Sequence, residues 1–309
     1  MQSTLTDRTV LVTGGAGFIG SHIVESLATT NQVRVLDDFS NGSRMNLPTD
    51  VTVIDGDVRD DETVSTAMQD VEFVFHHAAM VSVEESITKP RACQEINTAG
   101  TLSVLDHARM EDARVIVPSS AAIYGTPEQL PIAEPARKQP SSPYGISKLA
   151  TDHHVQRFAE LYDLPTVVLR YFNVYGSRQG RSDYSGVISI FLEQARDGGP
   201  ITVDGDGTQT RDFVHVDDVV QANLLAATTE HTGDAYNIGT GSEISIRELA
   251  ETIRDVTDST AEIVHGDERT GDIPESCAAI DKARRRLGYE PDVSLREGLA
   301  SLADSAAMR

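Results

Sequence analysis

The sequence predicts an α/β fold, a doubly wound parallel sheet followed by a smaller C-terminal α/β domain. Two observations carry this. Short β-rich runs alternate with helix-like stretches through the first 170 residues. Those runs are nearly continuous in Val, Ile, Leu and Phe, as strands buried on both faces of a parallel sheet require.

The expected strands are "TVLVT" (9–13), "QVRVL" (32–36), "VTVID" (51–55), "VEFVFH" (71–76), "ARVIVPS" (113–119) and "PTVVLR" (165–170). Six strands with crossover helices make a Rossmann-type sheet over residues 1–170. After Tyr171 the texture changes to Gly and Asp turns and shorter strands, "PITVDGDG", "RDFVHV" and "AYNIG". Helices are expected near 186–196, 216–228 and 245–256, so residues 171–309 form the second domain, with a ligand cleft between the two.

With 309 residues, 39% hydrophobic and 24% charged, the chain is long enough for a sizeable core. No apolar run approaches the roughly 18 residues of a membrane span, and "MQSTLTDRTVLVTGG" does not read as a secretory signal. The expectation is a cytoplasmic protein that binds no membrane. Cys93 and Cys277 are too few for a disulfide framework or a sulfur-rich metal site, and both read as buried thiols. A formal charge of −22 argues against nucleic-acid binding, which rewards clustered Lys and Arg.

The segment "VLVTGGAGFIGSH" runs from a strand through Gly14, Gly17 and Gly20 into an amphipathic helix, and Asp37 ends the next strand. Gly14 allows the tight turn, Gly17 lets the backbone approach a pyrophosphate, and Gly20 permits close helix packing. Asp37 suits ribose hydroxyls and repels a 2′-phosphate, which favours NAD over NADP. Asp57 and Val58 after the third strand read either as an adenine contact or as a simple turn.

These stretches, with "HHAAMVSVEES", "NTAGT", "PSSAAIYG", "SPYGISK", "YFNVYGSRQ", "DGTQTRDFVHVDDV" and "RTGDIPES", resemble the extended short-chain dehydrogenase/reductases, and within them the UDP-glucose 4-epimerase-like sugar-nucleotide enzymes. The likeness covers almost the whole chain. It implies that Phe18 and Ile19 close over the diphosphate of NAD. It implies that Asp37, Asp38, Phe39, Ser40, Asn41 and Gly42 carry the adenosine ribose, and that Ala78, Ala79, Met80 and Phe172 line the cofactor. Asn97 would lie near the ribose or active site, whereas His76 and His77 read as packing at a strand end. A homodimer is also implied, through helices flanking the site.

Tyr144 and Lys148 stand at i and i+4, on one face of a helix, with Pro143 and a serine cap suiting its first turn. A phenol is a poor base unaided; a lysine ammonium one turn away, with a positive nicotinamide, is expected to favour the phenolate. Ser120, at the end of the fifth strand, can steer a substrate oxygen toward Tyr144. By resemblance the three form a catalytic triad that binds the reacting sugar and moves a proton at its 4-hydroxyl. Ala121 and Ala122 stand where 4,6-dehydratases of this kind carry an acidic pair, so the implied reaction is 4-epimerisation of a UDP-sugar. Epimerisation or decarboxylation of UDP-glucuronate stays open, and a non-catalytic NAD-binding protein is the reading outside enzymology.

The second domain offers Asn173, Arg211 and Arg269 as contacts to the sugar diphosphate, by resemblance, and arginine's planar fork suits phosphate. Asp272 is expected at the nucleoside ribose, and Val187, Ile201 and Val203 around the uracil. The resemblance also places Ser276 at a gatekeeping position, where a small residue implies room for an N-acetyl group.

Of 26 Lys and Arg residues only Lys89, Lys138, Lys148 and Lys282 are lysines, and this acid-rich, lysine-poor balance resembles proteins of salt-loving organisms. Screening relieves the self-repulsion of such a surface. The thermal midpoint is therefore expected to rise between dilute buffer and molar KCl; a midpoint indifferent to salt would oppose this reading.

Overall fold

The computed structural model describes residues 5–179, 186–268 and 273–307. The strands are β1 (Thr9–Thr13), β2 (Gln32–Asp37), β3 (Thr52–Asp55), β4 (Phe73–His76), β5 (Arg114–Ser120), β6 (Thr166–Tyr171), β7 (Asn173–Tyr175), β8 (Ile201–Asp204), β9 (Thr210–Arg211), β10 (Phe213–His215), β11 (Asp234–Ile238), β12 (Ile244–Ser245) and β13 (Ile263–Gly266). The α-helices are α1 (Phe18–Ala28), α2 (Asp61–Met68), α3 (Val83–Thr88), α4 (Pro90–Gln94), α5 (Gly100–Met110), α6 (Pro143–Tyr162), α7 (Val187–Asp197), α8 (Val216–Thr228), α9 (Ile246–Val256), α10 (Asp281–Leu287) and α11 (Leu295–Ala307).

Seven parallel strands form the main sheet in the order β11-β6-β5-β4-β1-β2-β3. Successive side chains feed its two faces alternately. Val10, Val12, Phe75, Ile116, Val167 and Leu169 join one apolar cluster with Ile23 and Leu27 of α1 and Val219 of α8. Leu11, Val74, Val115, Val117 and Val168 join the other with Val64 of α2, Leu105 of α5 and Val155 of α6. Full burial of a Val or Leu side chain stabilises by about 1.5–3 kcal/mol, so loading both faces makes these runs apolar throughout.

The expected boundary at residue 170 does not coincide with the edge of this sheet. The run "AYNIG", assigned from sequence to the second domain, is β11, which pairs in parallel with β6. Helix α8 packs on the same sheet through Val219 and Ala222. The chain leaves the sheet after β6 and returns to it, because another parallel strand still finds an open edge there. The remaining lobe centres on Ile201, Val203, Phe191, Leu249, Ile253 and Leu299, contributed by β8, α7, α9 and α11. Among the described residues no helix is long and apolar enough to cross a membrane.

One buried ion pair fixes the helix that carries Tyr144. Arg170 of β6 donates through Nε to Asp152 of α6 at 2.7 Å, and the two side chains are 5% and 0% exposed. The guanidinium also donates to Tyr124 Oη and to the Glu134 carbonyl, each at 2.9 Å. Tyr124 Oη then donates to Asn237 Oδ1 at 2.7 Å. A buried charge is tolerated when its hydrogen bonds are met this fully, and the network locks α6 to β6 and β11.

Candidate active site

The turn between β1 and α1 is built by close approach. Gly14 has φ +64°, and a Cβ there would stand 2.5 Å from the Ala78 amide nitrogen. A Cβ on Gly20 would meet the Gly14 carbonyl oxygen at 2.2 Å. Both positions therefore exclude any larger side chain, and the loop lies directly against the end of β4. Gly17 is the N-cap of α1 and supplies no capping side chain, so the first-turn amides at Phe18 and Ile19 suit an anion, helped by the helix dipole.

Asp37 at the end of β2 is buried, and its carboxylate accepts from Ala16 N at 2.8 Å and from Phe39 N at 2.9 Å. Burial raises its pKa against the lowering effect of those two bonds. Each oxygen keeps a second lone pair for a ribose hydroxyl. Asp38 accepts from Ser40 N and Ser40 Oγ, and Gly42 packs against Ala16 and Asp37, while Asn41 is exposed. Asp57 is tied to Arg59, whose Nε donates to it at 2.9 Å, and its pKa is lowered by that partner. Val58 is buried beneath Gly100.

The loop holding Ala78, Ala79 and Met80 follows β4. Asn97 is 2% exposed; its Oδ1 accepts from Met80 N at 2.8 Å, and its Nδ2 donates to Met80 O and to Ser147 Oγ, each at 2.9 Å. The expected ribose-side residue is thus a clasp joining this loop to α6, its amide spent on protein partners. A π-helical turn, Glu95–Ala99, leaves the Asn97 carbonyl free to accept from Thr101 Oγ1 and Thr151 Oγ1. With the Thr101 proton used there, His76 donates from Nε2 to Thr101 Oγ1 and accepts at Nδ1 from Thr13 Oγ1. Burial pushes the His76 and His77 pKa values down to about 3, so both are neutral packing groups.

Ser120, Tyr144 and Lys148 meet where β5 ends. Ser120 Oγ accepts from Ala122 N at 3.2 Å, and its hydroxyl lies near enough to the Tyr144 phenol to work against a rise in that group's pKa. Ser142 is the serine that caps α6, with Pro143 in its first turn. Lys148, one turn beyond Tyr144 and 5% exposed, donates from Nζ to the Pro118 carbonyl at 3.1 Å. Its pKa is pushed down to about 8 by burial. At Tyr144 burial raises the pKa, the nearby Ser120 hydroxyl opposes this, and the raising effect is the larger, so the phenolate expected with a positive nicotinamide depends on that added charge. The lysine's Nζ is bonded to Pro118 O, and burial keeps the phenol above its ordinary pKa.

Of the residues expected to contact substrate, Asn173 donates from both N and Nδ2 to the Asp212 carbonyl. Arg211 is half-buried and donates to its neighbour's carbonyl, Thr210 O, at 2.7 Å. Ser276 is 2% exposed beside Thr210. Val187 opens α7, and Phe172 is buried at the end of β6. Ile201 and Val203 are both 0% exposed in the core of the C-terminal lobe; β8 alternates with period two and turns these side chains inward, so they do not frame a base. Arg269 and Asp272 lie outside the described residues.

A glycine cradle that any Cβ would fill, bare helix amides and an acidic residue closing β2 fit a dinucleotide. Residues 10–239 match the model of the NAD-dependent epimerase/dehydratase family. The chain belongs to that family. It is 37% identical to a UDP-glucose 4-epimerase of Mycolicibacterium smegmatis, over 94% of this chain and 96% of that protein. Among solved structures, it resembles a UDP-glucose 4-epimerase of Thermotoga maritima with UDP-glucose, at TM-score 0.94 and 37% identity, covering 97% of this chain and 99% of that one. It also resembles a UDP-N-acetylglucosamine 4-epimerase of Methanobrevibacter ruminantium in complex with UDP-N-acetylmuramic acid, at TM-score 0.94 and 34% identity, covering 98% and 99%. NAD is the cofactor of this epimerase/dehydratase family member. Among the described residues no cluster of His, Cys, Asp or Glu could hold a metal.

Sequence reasoning missed Asp212. This fully buried carboxylate accepts from Thr240 N at 2.8 Å, Thr240 Oγ1 at 2.7 Å, Gly241 N at 3.0 Å and Ala278 N at 3.1 Å. It draws together β9, the loop after β11 and the segment carrying Ser276. Its place between Arg211 and Phe213 was the available signal, but the donors come from residues 28 or more positions away.

The depressed Lys148 pKa makes a stability prediction. Between pH about 8 and 10.5 the unfolded chain holds a proton on this lysine that the folded chain has released, so folding stability from this group rises with pH across that window. Lys148→Met removes the group. The stability difference between the two proteins should move in favour of wild type by about 3 kcal/mol from pH 7 to 10.5, read by urea unfolding at each pH. A pH-independent difference would place the ammonium in contact with water.

Proposed function

We propose that this chain is a UDP-sugar 4-epimerase that retains its NAD tightly, working on UDP-glucose and UDP-galactose and on their N-acetylated counterparts. The observation that carries the reading is the burial of Lys148, one turn from Tyr144, against the end of the strand that carries Ser120, with a dinucleotide cradle on the same end of the sheet. Gly14, Gly17, Phe18, Ile19 and Gly20 hold the diphosphate of NAD in this reading, and Asp37 its ribose. When bound, NAD supplies the hydride acceptor and donor at sugar C4 and a positive charge that favours the phenolate.

The protein's part is the proton. Ser120 Oγ holds the sugar's 4-oxygen and Tyr144 Oη takes its proton as the C4–H bond breaks, leaving a 4-keto sugar. The ketone turns about its link to the diphosphate, and Tyr144 returns the proton to the 4-oxygen as the C4–H bond re-forms on the other face. The sugar's composition is unchanged and its C4 configuration inverted. Lys148, charged below pH about 8, sets the local potential for the phenol. The alanines following Ser120 bring no acid or base for water elimination, which supports epimerisation over dehydration.

Asn173, Arg211, Arg269, Asp272, Val187 and Ser276 belong on the UDP-sugar side of this reading. A cytoplasmic homodimer completes it; Met110 at the end of α5 and Leu161 and Tyr162 at the end of α6 are exposed apolar residues that a second subunit would cover.

Incubation with UDP-glucose, UDP-N-acetylglucosamine and UDP-glucuronate, without added NAD, followed by separation of the products, should give 4-epimers of the first two. A UDP-pentose as the only product would replace the reading with decarboxylation. Tyr144→Phe should lower kcat by about 10²–10⁴-fold. Ser276→Tyr should abolish turnover of the N-acetylated sugar and keep that of UDP-galactose; equal effects on both would remove Ser276 from substrate selection.

A further inference from the structure

The first turn of α6 has an unusual dependence on another helix. Ser142 Oγ accepts from Gly145 N at 3.1 Å, and Ile146 N donates to Ser142 O at 2.9 Å. Pro143 has no amide hydrogen to satisfy. That leaves the amide of Tyr144 itself, which a helix's first turn cannot pair internally. It donates to Ser86 Oγ of α3 at 3.1 Å. Ser86 is 0% exposed, and its hydroxyl proton goes to Val83 O at 2.6 Å, so an oxygen lone pair is left facing Tyr144. Helix α3 is itself anchored by Ser82, which accepts from Glu85 N at 2.9 Å.

We propose that Ser86 is a positioning residue for Tyr144, setting where the phenol stands relative to Ser120 by holding the tyrosine's peptide from outside its helix. This rests on the proton-transfer role proposed for Tyr144. A hydroxyl is required at 86 because this part-buried amide, left without an acceptor, forces the first turn to shift or to admit water. A small shift of the peptide is carried to the phenol oxygen at the far end of a rigid side chain, where misplacement by about 1 Å can cost 10²-fold in rate.

The test compares Ser86→Ala with Ser142→Ala, which removes a different hydrogen bond from the same helix end. Ser86→Ala should lower kcat about 10- to 100-fold while KM for UDP-glucose and the calorimetric affinity for NAD stay within about twofold, and Ser86→Thr should restore most of the rate. Ser142→Ala should keep kcat within about threefold although the helix loses its cap. Equal losses of kcat in the two alanine variants, an unchanged kcat in Ser86→Ala, or a Ser86→Thr as slow as Ser86→Ala would each overturn the inference. Ser86→Cys, close in size but a weak acceptor, serves the same comparison if Ser86→Ala does not fold. Tyr144→Phe in the same assay separates the two levels. Full activity there ends the proposed function, whereas loss there beside a normal Ser86→Ala ends only the role of Ser86.

Discussion

Burial of the Lys148 ammonium against the end of β5 is the constraint on which the site depends. The contact from Nζ to Pro118 O draws the first turns of α6 onto the strand end that carries Ser120, which brings Tyr144 beside that serine. The burial costs about 3 kcal/mol at neutral pH, judged from the fall in pKa from 10.5 to about 8. Other contacts offset it: the Arg170–Asp152 pair fixes the middle of α6, and Asn97 ties its first turns to the loop after β4. The helix is thus held at several points along its length, and a charge that water would otherwise claim stays where chemistry can use it.

The cofactor end follows the same logic with fewer charges. The Gly14 turn sits so close to Ala78 that the loop after β4 and the phosphate loop form one wall. Asp37 braces that wall by accepting from Ala16 and Phe39. Asn97 then links the wall to the helix of Tyr144. On the other lobe Asp212 plays the part that Asn97 plays beside the glycine loop, one buried polar group collecting partners from distant segments. Both ends converge on the C-terminal edges of the strands, where a doubly wound sheet presents ligands.

The sheet was largely legible because its strands must be apolar on both faces, and the six expected strands match β1 to β6 to within two residues at either end. The seventh, β11, was assigned to the wrong unit: its pattern is that of a buried strand, but nothing local says which sheet edge receives it. The helix of Tyr144 was legible from Pro143 and the i, i+4 spacing, and Gly14 and Gly20 from theirs. The rise that burial gives the Tyr144 pKa was not, because it depends on how much water the folded chain removes from the phenol, which is a tertiary fact. Ile201 and Val203 failed for a related reason, since a strand's inward and outward faces interchange with a shift of one residue. Ser86 and Asp212 carry no periodic signal; each is a lone polar residue whose importance lies in a partner far along the chain.

Burial in the protein raises the pKa of the Tyr144 phenol, and a bound positive nicotinamide is expected to lower it. This is tested most directly by titrating the phenol through the ultraviolet difference spectrum between wild type and Tyr144→Phe, first in protein stripped of nucleotide and then with NAD added. The phenol pKa should lie above its ordinary value of 10.0 in the stripped protein and fall when NAD is added. A phenol that already ionises near neutral pH without the nucleotide would contradict this.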